Sequence, residues 1–119
     1  MEKQRTPLEE QKIHFEAIVT LIQSAEKVIE RAEHLKDGFN HKPFAEMVDA
    51  NVNVLRAQAD VLRPLLDSKT VLSLQQMLFI RESAATVRRC MEQLDTNITL
   101  MTQHRNSKMI NIGGLGNGR

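Results

Sequence analysis

The chain has 119 residues and a net charge of +1, with 41% hydrophobic and 26% charged residues. This is the balance of one globular domain, not of a disordered or membrane-embedded chain. Its aromatic residues are four Phe, with no Trp or Tyr, and its single cysteine is Cys90. An intramolecular disulfide framework is thereby excluded, and a core of Leu, Ile, Val, Met and Ala favours helix packing over strands. All-α is the expected class.

Residues 1–7 are charged and lead into no apolar run, and the longest apolar stretch, 77–80, is far too short to span a membrane. No signal and no membrane contact are expected, and the chain reads as cytoplasmic and bacterial. Charge is uneven along it. Residues 1–38 hold six Lys and Arg against eight Asp and Glu, residues 39–68 three against four, and residues 69–119 seven against three. The last segment is therefore basic by four charges.

A first helix is expected over about 7–36. Thr6, Pro7 and Glu9 supply a capping hydroxyl, a proline at the first helical position and a carboxylate three residues after the cap. Its apolar ladder is Leu8, Phe15, Ile18, Ile22, Ala25, Ile29 and Ala32, widened by Leu21, Val28 and Leu35. Glu16, Lys27, Glu30 and Arg31 form the solvated face. Asp37 and Gly38 mark its end, with the glycine expected in the left-handed conformation of many helix C-termini.

A short loop, 39–42, favours an antiparallel neighbour. The second helix, about 43–66, opens on Pro43 and has apolar positions Phe44, Met47, Val48, Val54, Leu55, Val61 and Leu62. Pro64 lacks an amide hydrogen, so a break or kink is expected near 62–64 with Leu65 and Leu66 turned inward. The apolar stripe also meets Asn51 and Gln58. Two buried amides need partners, and Ser83 and Asn97 across the bundle are the candidates, in which case the pairs fix register. A polar pocket or a partner-facing seam, and a helix rotated to leave both amides in water, are the other readings.

Asp67 or Ser68 is the expected cap of a third helix over about 70–105. Its ladder, Met77, Ile80, Ala84, Val87, Met91, Leu94, Ile98 and Met101, alternates steps of three and four. Four of the five glycines follow, at 113, 114, 116 and 118, so 109–119 reads as a flexible tail outside a single 1–108 domain. The architecture expected is an antiparallel up-down-up three-helix bundle. Long amphipathic helices followed by a polar tail are similar in architecture to the small export chaperones of flagellar and type III secretion systems.

No catalytic, cofactor or metal site can be assembled. The four histidines, His14, His34, His41 and His104, show no metal-ligand spacing. Cys90 sits beside the third ladder with no histidine near it to act as base. The glycines at 114, 116 and 118 lack the strand and helix that a phosphate loop needs. No small-molecule substrate is evident, and an enzyme is not expected.

Residues 71–80 are apolar nearly all round the helix. Either Leu65 and Leu66 close the corner over them, or the surplus meets a partner. Val71, Leu74, Leu78 and Phe79 are the candidate partner-binding residues, for a homodimer or for a small adaptor or chaperone that binds another helical protein. The alternative is a nucleic-acid accessory role for the basic residues Arg81, Arg88, Arg89, Arg105 and Lys108, a stripe thinner than DNA-binding surfaces carry.

Overall fold

A computed structural model describes residues 4–113, with side chains through Asn106. The chain forms three helices, α1 (Pro7–Gly38), α2 (Lys42–Leu66) and α3 (Leu74–Gly113). No strand occurs among the described residues. This is the all-α three-helix bundle expected. It measures 70 × 35 × 17 Å, because α3, with 40 residues, is about 60 Å long at 1.5 Å per residue.

The helix ends follow local chemistry. Thr6 caps α1: its hydroxyl accepts from the Glu9 amide at 3.2 Å, and the Glu9 carboxylate accepts from the Thr6 amide at 2.8 Å. Those hydrogen bonds to the ionised carboxylate hold the Glu9 pKa below its ordinary value. At the other end, Gly38 is helical and does not take the left-handed conformation expected of it. Phe39 leaves the helix instead, extended at φ −120°, ψ 132°. Its ring turns into the α1–α2 corner against Phe44, 6.4 Å between centroids. His41 then caps α2, its Nδ1 accepting from the Phe44 amide at 3.1 Å.

Pro64 does not break α2 near 62–64. It lies in the last turn, and the helix continues to Leu66 before the Asp67 amide closes on the Arg63 carbonyl. Neither Asp67 nor Ser68 caps α3. The Ser68 hydroxyl is spent on Thr70 within the loop. Ser73 is the cap, in a reciprocal box with Gln76: each backbone amide bonds the other's side chain, at 2.9 and 3.1 Å. α3 therefore starts at Leu74 and not near 70. It also runs past 105 to Gly113, since no glycine or proline interrupts it earlier. The tail expected over 109–119 is thus helical at its start, and residues 114–119 lie outside the described residues.

The core is one cluster drawn from all three ladders. Ile22, Val48, Leu55, Leu62, Ile80, Val87 and Leu94 are buried, while Met77, Met91, Ile98 and Met101 pack half-buried against them. α2 is rotated from the expected stripe, so Val52 and Ala59 are buried whereas Val54 and Val61 are exposed. Asn51 stays inward, as expected, where its amide donates back to the Met47 carbonyl at 3.0 Å, within its own helix. Gln58 does bond across the bundle, accepting from Ser83 of α3, while Asn97 bonds the Gln93 carbonyl one turn back. α3 packs on both other helices, which meet each other less.

Leu62 is fully buried, so Leu62→Ala should lower unfolding free energy by about 2–5 kcal/mol. Leu74→Ala, at an exposed position, should change it by less than about 0.5 kcal/mol. Urea titration of both variants measures the contrast.

Candidate interaction surface at the start of α3

The surface is built on a buried glutamine of α1. Gln11 occupies the ladder step between Leu8 and Phe15 and is 6% exposed. Its amide nitrogen donates to the Thr70 carbonyl, and its amide oxygen accepts from the Leu72 amide, both at 2.9 Å. One side chain thus satisfies a donor and an acceptor of the α2–α3 loop and ties that loop to the start of α1. Leu72 is drawn in to pack on the core, with Met77, Leu65 and Leu66 beside it.

With those four closing the corner, the remaining apolar residues stay outside. Val71, Leu74, Leu78 and Phe79 are 55, 76, 47 and 44% exposed. Of nine large apolar side chains exposed among the described residues, these four fall within nine consecutive positions. They do not form one stripe. Leu74 and Leu78, four apart, share a side of α3, while Phe79 is turned about 100° away from Leu78. Phe79 lies four residues before Ser83, whose bond to Gln58 sets the antiparallel register of α2 and α3. At that register the exposed Val61 lies about level with Phe79 along the bundle.

The basic residues are dispersed. Arg81, Arg88 and Arg89 are all exposed, but only Arg81 and Arg88, seven apart, share a side. Arg89 reaches the Thr86 hydroxyl at 3.3 Å. Arg105 stacks over the Phe39 ring, 5.8 Å from its centroid, on the bundle side of α3. The side chain of Lys108 lies outside the described residues. Asp95, next in line after Arg88, pairs with Arg31 of α1 at 2.6 Å.

Between α1 and α2 runs a groove of roughly 410 Å³ with a floor that includes Ala25, Ile29, Leu55 and Ala59. The ion pairs Arg63–Glu26 and Arg56–Glu33 bridge it, and the floor residues are buried. Cys90 is half-buried, and burial pushes its thiol pKa up, against a smaller opposite pull from Arg89. Among the described residues no cluster of His, Cys, Asp and Glu could hold a metal ion. Among the described residues no helix is long and apolar enough to cross a membrane.

Sequence reasoning missed Gln11, although a seven-residue gap in an otherwise regular ladder marks its position. It also missed His41 and Ser73 as caps. Comparison with protein-family models, curated proteins and solved structures gives no match to this chain.

Gln11→Ala leaves the Leu72 amide and the Thr70 carbonyl without partners in a part-buried loop. It should cost about 1–3 kcal/mol in chemical denaturation and speed hydrogen exchange at Leu72. A raised thiol pKa leaves less thiolate at neutral pH. Cys90 in the folded protein should therefore react slowly with a disulfide reagent there, and faster only as pH climbs past the ordinary thiol range.

Proposed function

We propose that this chain is a non-catalytic interaction module of the cytoplasm, a helical bundle that docks a second copy of itself or another helix. Val71, Leu74, Leu78 and Phe79, at the start of α3, form the contact surface. The observation that carries this reading is their exposure, concentrated in one short segment while the neighbouring Leu72 and Met77 complete the core. Apolar surface gathered in this way at one end of a bundle is the usual mark of a docking site. The partner's apolar side chains lie over Leu74 and Leu78 as knobs over a coiled-coil seam.

The second reading, a nucleic-acid accessory role, has the exposed pair Arg81 and Arg88 in its favour. It predicts retention on DNA at low salt that falls steeply as salt is added. Of the basic residues whose side chains are described, only Arg81 and Arg88 share a side, so the interaction module is preferred.

Size-exclusion chromatography with light scattering separates the two forms of the module. If a second copy is the partner, the wild type runs as a concentration-dependent dimer and the Leu74→Asp/Leu78→Asp variant runs as a monomer with unchanged helix content. A wild type that is monomeric and folded at every concentration removes the self-association form. Loss of helix in the double variant would show these leucines to be structural and overturn the surface itself.

A further inference from the structure

Leu74 and Leu78 begin a longer track. Steps of four and three continue along the same side of α3 through Arg81, Ala85 and Arg88. Leu74, Leu78, Arg81 and Arg88 are exposed, and Ala85 is half-buried. Among the described residues neither arginine has an ion-pair partner. Glu82 is turned about 100° away from Arg81, Glu92 makes no ion pair with Arg88 four residues before it, and Asp95 is engaged by Arg31. The track is therefore apolar in its first two turns and basic from Arg81 to Arg88, with a small residue between the two cations, before the same steps reach Glu92 and Asp95.

A stable protein contact buries about 800 Å² on each side. Four side chains at one helix end are only part of that, so a docked helix has to extend along the track and cover Arg81 and Arg88. A second copy is poorly matched to this. In an antiparallel pairing centred on the track, each Arg81 faces the other copy's Arg81 and each Arg88 faces its Leu74. In a parallel pairing each arginine faces itself. Either way four guanidinium groups lose water without a carboxylate opposite, which is unfavourable.

Building on the interaction-module reading, we propose that this track docks an amphipathic helix of another protein that carries acidic residues beside its apolar seam. Its apolar side chains cover Leu74, Leu78 and Ala85, and its carboxylates accept from Arg81 and Arg88. Arginine suits this position, because its planar fork meets a carboxylate through two hydrogen bonds.

The probe is a synthetic helical peptide of about three heptads with Leu at the seam and Glu at the flanking positions, whose own charge repulsion keeps it from pairing with itself. Companion peptides carry Gln or Lys in place of Glu, and binding to the full chain is followed by fluorescence anisotropy. The Glu peptide should bind, the Gln peptide about tenfold more weakly and the Lys peptide weakest of all. Arg81→Glu/Arg88→Glu, at exposed positions, should invert the order, with the Lys peptide now preferred. Leu74→Asp/Leu78→Asp should weaken all three.

Equal binding of the three peptides, lost in the leucine variant, would overturn the acidic partner while leaving the docking surface in place. No peptide binding to a wild type that dimerises through Leu74 and Leu78 would overturn it in favour of a second copy. No peptide binding to a monomeric wild type would overturn both the acidic partner and the surface.

Discussion

The Gln11 amide is the contact on which the placement of α3 depends, because it is the buried directional contact that joins the start of α1 to the α2–α3 loop in one register. Helix ladders made of similar aliphatic side chains can slide past one another by a turn at small cost, since each rung resembles the next. A side chain that donates to the Thr70 carbonyl and accepts from the Leu72 amide cannot slide. Moving it by one turn would leave both loop groups and both of its own atoms unpaired in a part-buried site. The Arg31–Asp95 pair holds the same two helices further along. It lies in solvent at more than half exposure on both sides, where ion pairs contribute little.

Polar groups inside the bundle divide this task among the interfaces. Gln11 holds α1 to the α2–α3 corner, and the Gln58–Ser83 bond holds α2 to α3. Asn51 belongs to neither, because its amide donates to the Met47 carbonyl and lies 3.2 Å from the Met47 sulfur, one turn back. Apolar burial supplies most of the driving force, through Leu55, Leu62, Ile80, Val87 and Leu94. It is non-directional, so the few directional contacts choose among arrangements of nearly equal burial. Loss of one is felt as a loosened corner before it is felt as an unfolded protein.

Features written in neighbouring residues could be read from the sequence, and those decided across the bundle could not. The Thr6–Glu9 box and the ladder through Ile80, Val87 and Leu94 are legible because capping and helical period act within a turn or two. Ser73 and Gln76 have the same spacing as Thr6 and Glu9. Asp67 and Ser68 stand closer to the helix break expected at Pro64, so the local pattern favours them as caps. Gly38 misled for a related reason: a glycine after a charged turn permits left-handed geometry but does not require it, and the Phe39 ring decided the exit. The rotation of α2 that exposes Val54 and Val61 arises from packing against two helices at once. No single-helix pattern contains that information. The surplus of apolar residues over 71–80 was legible, since one helix cannot bury its whole circumference. Which of them would stay outside was settled by Gln11, sixty residues away in the chain.

Leu72 and Met77 on the inside and Leu74 and Leu78 on the outside are two outcomes of the same clamp. Once the loop is tied to α1 and Ser73 begins the helix, the inward and outward directions of α3 are set for every turn that follows. The exposed track therefore stands on a helix that is already formed and held at its N-terminus. A partner that lies along it does not have to order a loop or fold a segment. Binding through preformed helix loses less conformational freedom than binding through a flexible chain, which favours the proposed docking through a modest apolar contact and two exposed arginines. The same geometry separates stability from recognition. Truncating Leu62 removes core, whereas truncating Leu74 removes only what a second helix would have covered.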